Sequence, residues 1–254
     1  MTKRTNVLGV GLSVLDLPGA LAEIAAAIRE RRKGYICVTG VHGVMEAQAD
    51  PQFKRILNGA FLCTPDGMPM VWAGKLDGHK EMNRVYGPDL MLEVCAWSKD
   101  SGAKHFFYGG ADGVADLLAR SLKEKFPGLQ VAGTYTPPFR PLTEDETGGL
   151  QKMISESKPD IFWVGLSTPK QEKFMAEFLP KLDATLMVGV GAAFDFHSGR
   201  VSQAPRWMQR SGLEWLFRLG SEPRRLWKRY LSNNPRFLWG FFLQKSGIKK
   251  YPLD

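Results

Sequence analysis

From the N-terminus to about residue 190, short apolar runs alternate with stretches whose apolar positions recur every three or four residues. The apolar runs at 7–12, 35–38, 60–63, 104–108, 129–133, 160–164 and 184–189 read as strands. Between them lie helical stretches. One is opened by Asp16 with Pro18 in its first turn, one covers 44–58 with a break near Pro51, and one carries Trp72. Others run from Pro88 through Trp97, over 112–125, over 143–157 and from Pro169 to Phe178. Strands separated by helices of this length imply an α/β fold with a mostly parallel sheet and right-handed crossovers. Beyond Gly191 no further strand is predicted. Residues 205–219, 223–231 and 235–244 read as three short helices, each opened by a proline.

Charge divides the chain differently from hydropathy. The 254 residues carry a formal net charge of +8. Residues 200–254 hold twelve Lys/Arg against three Asp/Glu, whereas residues 1–199 are close to balance. Four of the seven tryptophans (Trp207, Trp215, Trp227 and Trp239) lie in the same basic segment. The expected organisation is an α/β domain over 1–199 and a helical appendage over 200–254 with an acidic partner. Basic, aromatic, amphipathic helices suit the headgroup region of an anionic membrane, where each Lys or Arg contributes about 1 kcal/mol. The same side chains are also the ordinary content of a packed helical core with a solvated face. Nucleic acid is the rival polyanion, but no recognised nucleic-acid motif is present and the pattern favours a membrane. No window reaches the roughly 18 apolar residues of a spanning helix. Cys37, Cys63 and Cys95 are odd in number and widely spaced, which points to reduced thiols in a cytosolic compartment.

Candidate chemistry sits at the predicted strand ends, where open α/β sheets place their ligands. Thr39 follows the second strand. Asp66 follows the third, in the loop Thr64-Pro65-Asp66-Gly67-Met68-Pro69, where Pro65 sets the approach and Gly67 lets the backbone turn. An Asp-Gly turn or helix cap is the alternative use of these residues. Arg84 lies in a later loop. Gly109-Gly110 between a strand and a helix suits either a phosphate at helix amides or a plain turn. Gln171 follows a further strand end, and Asp195 closes the segment Gly189-Val190-Gly191-Ala192-Ala193-Phe194. That segment lacks the second strand and acidic residue of a dinucleotide fingerprint. The histidines have no metal-ligand spacing and no Asp-x-Asp pair is present, so no metal and no cofactor is expected.

Five ordered motifs then make a specific resemblance. They are Pro65-Asp66-Gly67, Arg84-Val85-Tyr86-Gly87-Pro88-Asp89-Leu90, Gly165-Leu166-Ser167-Thr168-Pro169-Lys170-Gln171-Glu172, Gly189 through Phe196, and Ala204-Pro205-Arg206-Trp207-Met208. The last is followed by Gly212-Leu213-Glu214-Trp215, Arg218-Leu219 and Glu222-Pro223-Arg224-Arg225. Together they resemble the WecG/TagA/CpsF glycosyltransferases, glycosyltransferase family 26, over nearly the whole chain.

The resemblance implies a Rossmann-like sheet and an inverting, metal-independent transfer of a sugar from a UDP-sugar to a polyprenyl-diphosphate-linked saccharide. It implies Asp66 as the catalytic base, with Thr39, Arg84 and Gln171 as site residues. Arg218, Arg225 and Lys228 or Arg229 would stabilise the departing UDP diphosphate. It also implies a peripheral place on the cytosolic face of the membrane through 200–254. Val41 stands where many members carry asparagine, which leaves N-acetylmannosamine, N-acetylmannosaminuronic acid and glucose open as donor sugars, with a lean to glucose. A homo-oligomer is left open. The contrasting expectation is a non-catalytic nucleotide- or polyanion-binding Rossmann-like module.

Overall fold

The first apolar run does not form one strand. In the computed structural model, which describes residues 2–253, it folds back on itself as an antiparallel hairpin of β1 (Arg4–Val7) and β2 (Val10–Ser13). The two-residue turn, Leu8-Gly9, has φ of 52° and 80°. Positive φ at both positions matches the strand twist and closes a tight hairpin. The sequence carries no Asn-Gly signal here, and the continuity of its apolar residues suggests a single strand.

The remaining elements follow the predicted alternation. They are α1 (Leu17–Arg29), β3 (Gly34–Thr39), α2 (Val41–Ala49), α3 (Pro51–Gly59), β4 (Leu62–Pro65), α4 (Met68–Leu76), α5 (Gly87–Ser101), β5 (Lys104–Gly109) and α6 (Val114–Lys125). There follow β6 (Gln130–Tyr135), α7 (Glu144–Ser157), β7 (Ile161–Gly165), α8 (Lys170–Phe178), β8 (Leu186–Gly189) and α9 (Ala193–His197). Local signals explain several boundaries. The Asp50 carboxylate accepts from the amides of Gln52 and Phe53 and separates α2 from α3. Thr143 and Glu146 form a reciprocal capping box that starts α7.

Six strands make one sheet in the order β4-β3-β8-β7-β5-β6, and the pairs β3–β8, β8–β7, β7–β5 and β5–β6 are parallel. The interior strands are apolar throughout, as expected where helices cover both faces. Phe106, Phe162 and Trp163 are fully buried there. The architecture is the expected α/β one.

The C-terminal segment differs from its prediction. It forms α10 (Arg206–Arg210), α11 (Glu214–Ser221) and one long helix, α12 (Pro223–Lys245), with Pro235 inside it. The sequence predicts two short helices split at Pro235. Leu226, Phe237 and Gly240 are all buried along α12, so packing on both sides of the proline carries the helix through it.

Two compact units result. One gathers Met1–Leu17, Val38–Tyr86 and Gln203–Asp254, and the other Pro18–Cys37 and Gly87–Ser202. In the first unit α12 lies against α2 and the hairpin. Gln244 accepts from the Leu8 amide at 3.0 Å and donates to the Asn6 carbonyl at 3.1 Å. His42 meets Asn233 at 3.1 Å.

Candidate active site

Asp66 leaves the end of β4, whose residues are all buried. Its position is held from two sides. Its own amide donates to the Thr39 carbonyl at 2.9 Å, and the Val85 amide donates to the Pro65 carbonyl at 2.9 Å. A side chain at Gly40 would stand 2.9 Å from the Asp66 carbonyl oxygen, so glycine there is what allows β3 and the Asp66 loop to meet. Gly67 turns the chain into α4 with φ of 85°.

The same backbone clamp delivers Arg84. The Asn83 amide donates to the Leu15 carbonyl at 3.1 Å, which leaves the next side chain pointing over the Asp66 loop. Arg84 Nη2 is 3.4 Å from Asp66 Oδ1 and makes its close ion pair with Glu214. Its Nη1 donates to the Gln209 carbonyl at 3.4 Å, and the guanidinium lies 4.0 Å from the centre of the Tyr86 ring. Glu214 is the first residue of α11, where a carboxylate suits the helix dipole. Its placement depends on Gly212, with φ of 78°, at which a side chain would collide with the Trp72 ring.

Charge and burial act against each other here. Burial raises the Asp66 pKa above the ordinary carboxylate value, the Arg84 and Arg218 charges pull it down, and Glu214 pushes it up. The net effect is a more basic carboxylate. Its side chain keeps 31 % of its surface, so a substrate can reach it. Burial would weaken the Arg84 charge, but the two carboxylates beside it outweigh that and hold it protonated. Arg229 is in range of Asp66, and its pKa is lowered by burial and by the Arg218 and Arg225 charges. The Nε atoms of Arg84 and Arg229 are buried without a hydrogen-bond partner. Unsatisfied buried donors in a cationic recess fit an anionic ligand.

Thr39 is buried and its hydroxyl takes a hydrogen bond from the Cys63 thiol at 3.3 Å, while its carbonyl holds Asp66. Arg218 and Arg225 both meet Glu222, at 3.9 and 2.6 Å. Lys228 lies 5.5 Å from the Trp227 ring and is exposed. Of the predicted cations, Arg84, Arg218 and Arg229 act on Asp66. Arg225 and Lys228 have other partners.

The second unit holds the other predicted residues. Gly109 and Gly110 end β5 with φ of 126° and 77°. A side chain at Gly109 would stand 2.6 Å from the Gly165 carbonyl oxygen, and one at Gly110 would stand 2.8 Å from Val114. The protein's own packing demands these glycines. Gln171 is buried, and its amide donates to Glu172 at 3.0 Å. The Thr168 hydroxyl donates to the same carboxylate at 2.8 Å, which fixes the amide's orientation. Asp195 lies in the short helix α9, where its carbonyl accepts from the amides of Arg200 and Val201.

Glu214 belongs to one of the sequence motifs, yet the sequence alone assigns it no role. Its signal is its rarity, as one of three acids in a strongly basic segment. Among the described residues no group of three or more His, Cys, Asp or Glu could hold a metal ion, and no helix is long and apolar enough to cross a membrane.

Residues 5–251 match the glycosyl transferase WecG/TagA/CpsF family. Two relatives bear the name N-acetylglucosaminyldiphosphoundecaprenol N-acetyl-beta-D-mannosaminyltransferase. The one from Bacillus spizizenii is 31% identical over 218 residues, covering 85% of this chain and 82% of the relative. The one from Bacillus subtilis is 31% identical over 183 residues, covering 72% and 69%.

Proposed function

Because the chain belongs to the WecG/TagA/CpsF glycosyl transferase family, we propose that it moves a sugar from a UDP-sugar to a saccharide carried on polyprenyl diphosphate. The observation that carries this reading is Asp66. It is a basic, reachable carboxylate whose neighbouring arginine is committed to another carboxylate, with further cations in range. Asp66 takes the proton from the acceptor hydroxyl. The freed oxygen attacks the anomeric carbon from the face opposite the nucleotide, and the anomeric bond to the diphosphate breaks with inversion. The electron pair leaves on UDP, where Arg218 and Arg229 balance the new charge. Arg225 and Lys228 contribute to the same positive field. No metal is assigned to this step. Thr39 shapes the loop through its carbonyl.

The relatives' names put N-acetylmannosamine first among the donor sugars and a diphosphoundecaprenol-linked N-acetylglucosamine first among acceptors. N-acetylmannosaminuronic acid and glucose complete the panel. The exposed aromatic and aliphatic side chains Trp207, Trp227, Leu231, Leu238, Trp239 and Phe242 lie in the basic segment. They support docking of 200–254 on the cytosolic leaflet, where the acceptor lipid resides.

The test is UDP release from each UDP-sugar, with a short-chain lipid-diphosphate saccharide and EDTA present. Acceptor-dependent release from one donor is expected. Asp66→Asn lowers kcat by about 10²- to 10⁴-fold while UDP binding persists. UDP binding without release from any donor would instead favour a non-catalytic nucleotide-binding module, and activity abolished by EDTA would overturn metal independence.

A further inference from the structure

Arg84 spends its closest contact on Glu214, while Asp66 waits at 3.4 Å. Both partners of the pair are shielded, with side chains 13 % and 14 % exposed. A shielded ion pair stabilises a fold little, because desolvation of both charges offsets their attraction. Folding alone therefore gives weak reason for it. The recess also holds more donors than Glu214 can answer, since Arg84 Nε and Arg229 Nε are both buried without an acceptor. A single carboxylate offers two oxygens. A diphosphate offers more oxygens and more charge, in a form that guanidinium groups bind in a forked geometry.

We infer that Glu214 is the resting counter-ion of Arg84 and that the diphosphate of a substrate displaces it on binding. The inference rests on the transferase reading for the identity of the diphosphate, not for the exchange itself. No covalent bond changes. The Glu214 carboxylate returns to water and the diphosphate takes its place on Arg84. The exchange reaches further than one side chain. Glu214 opens α11, and the Gln209 carbonyl is bound by the same guanidinium. Displacement therefore cuts the tie from Arg84 to α11, leaves the longer one to the Gln209 carbonyl of α10, and removes a negative neighbour from the base. Substrate binding and the placement of this basic segment become one equilibrium, in which whatever favours one state of Glu214 favours one state of the site.

The experiment is calorimetric titration of the full-length chain with inorganic diphosphate, with UDP, and with a short-chain lipid-diphosphate saccharide. The proteins are wild type, Glu214→Gln, Arg84→Gln and the double variant, each checked for an unchanged thermal transition. Removing a competing anion predicts that Glu214→Gln binds diphosphate about 5- to 10-fold tighter. In the Arg84→Gln background the gain disappears, because the two residues act as one pair. A gain confined to UDP assigns the exchange to the donor, and one confined to the lipid ligand assigns it to the acceptor. Weaker or unchanged binding by Glu214→Gln overturns the inference, as does a gain that persists without Arg84, or a wild-type chain that binds none of the three. If wild type transfers no sugar yet Glu214→Gln gains affinity for inorganic diphosphate, the exchange stands and the transferase reading falls. If wild type transfers sugar and Glu214→Gln gains no affinity for any of the three ligands, the transferase reading stands and the exchange falls.

Discussion

Burial sets the basicity of Asp66 first, and neighbours of opposite sign then adjust it. Burial raises its pKa, Arg84 opposes that shift and Glu214 adds to it. On the proposed reading activity needs the ionised carboxylate, so kcat/KM is expected to fall on the acid side as pH drops through the Asp66 pKa. Arg84→Leu removes the positive neighbour, which raises that pKa and moves the acid limb to higher pH. Glu214→Gln removes the negative neighbour and moves the limb to lower pH. A pH–rate profile of the three proteins checks both directions. Shifts of the same sign would show that the cluster does not act electrostatically on Asp66.

Two predictions belong to the elements. The hairpin and α12 are tied by Gln244, whose amide satisfies both the Leu8 amide and the Asn6 carbonyl. Gln244→Ala strands both backbone groups and should cost about 1–3 kcal/mol. Faster hydrogen exchange in α12 than in β5 and β7 would locate the loss, and an unchanged exchange pattern would refute it. In the sheet, the His105 ring on β5 accepts from Trp163 Nε1 on β7 at 2.9 Å, and burial pushes its pKa down to about 3. The unfolded chain takes up that proton near pH 6.5 and the folded one does not. His105 therefore contributes stability above about pH 6.5 that is lost as pH falls toward 3, at about 1.4 kcal/mol per unit. His105→Gln keeps an acceptor for Trp163 and does not titrate. Urea unfolding at pH 7, 6 and 5 should give it the shallower decline.

At the scale of the molecule, the basic segment 203–254 packs in the same unit as the hairpin and the Asp66 loop. Cutting it away would expose Leu8 and leave Arg84 without Glu214, so point variants are the cleaner probe of membrane docking. Leu238, Trp239 and Phe242 are exposed on α12. Replacing Trp239 and Phe242 by serine should lower binding to anionic vesicles at least tenfold, on the scale of about 1.5–3 kcal/mol for each large apolar side chain buried. Arg224→Glu with Lys228→Glu should weaken it further and reduce its salt dependence. Sedimentation with vesicles at two salt concentrations reads both. Vesicle binding unchanged in all variants would remove the segment as the docking surface.

Much of this is legible in the sequence because it is encoded locally. Apolar runs bounded by turn residues locate strands, and the helix starts at Asp50–Pro51 and Thr143 are written in capping chemistry, so the α/β order from β3 to β8 can be read within a few residues. The motifs around Asp66 and Gln171 place candidate chemistry just beyond strand ends for the same reason, whereas Arg84 lies in the loop before α5. Other features depend on contacts between distant segments. Leu8 and Gly9 turn back because hairpin pairing and α12 hold them there, which no local pattern announces. Pro235 stays inside a helix because Phe237 and Gly240 are packed, although its own chemistry favours a break. Glu214 meets Arg84 across 130 residues of chain. The α/β order from β3 to β8 and the choice of candidate groups follow from periodicity and residue type, so the order of amino acids was enough to propose them. Which charges share one recess was settled by folding, because a pKa or an ion pair depends on burial and distance, and neither exists until the chain has folded.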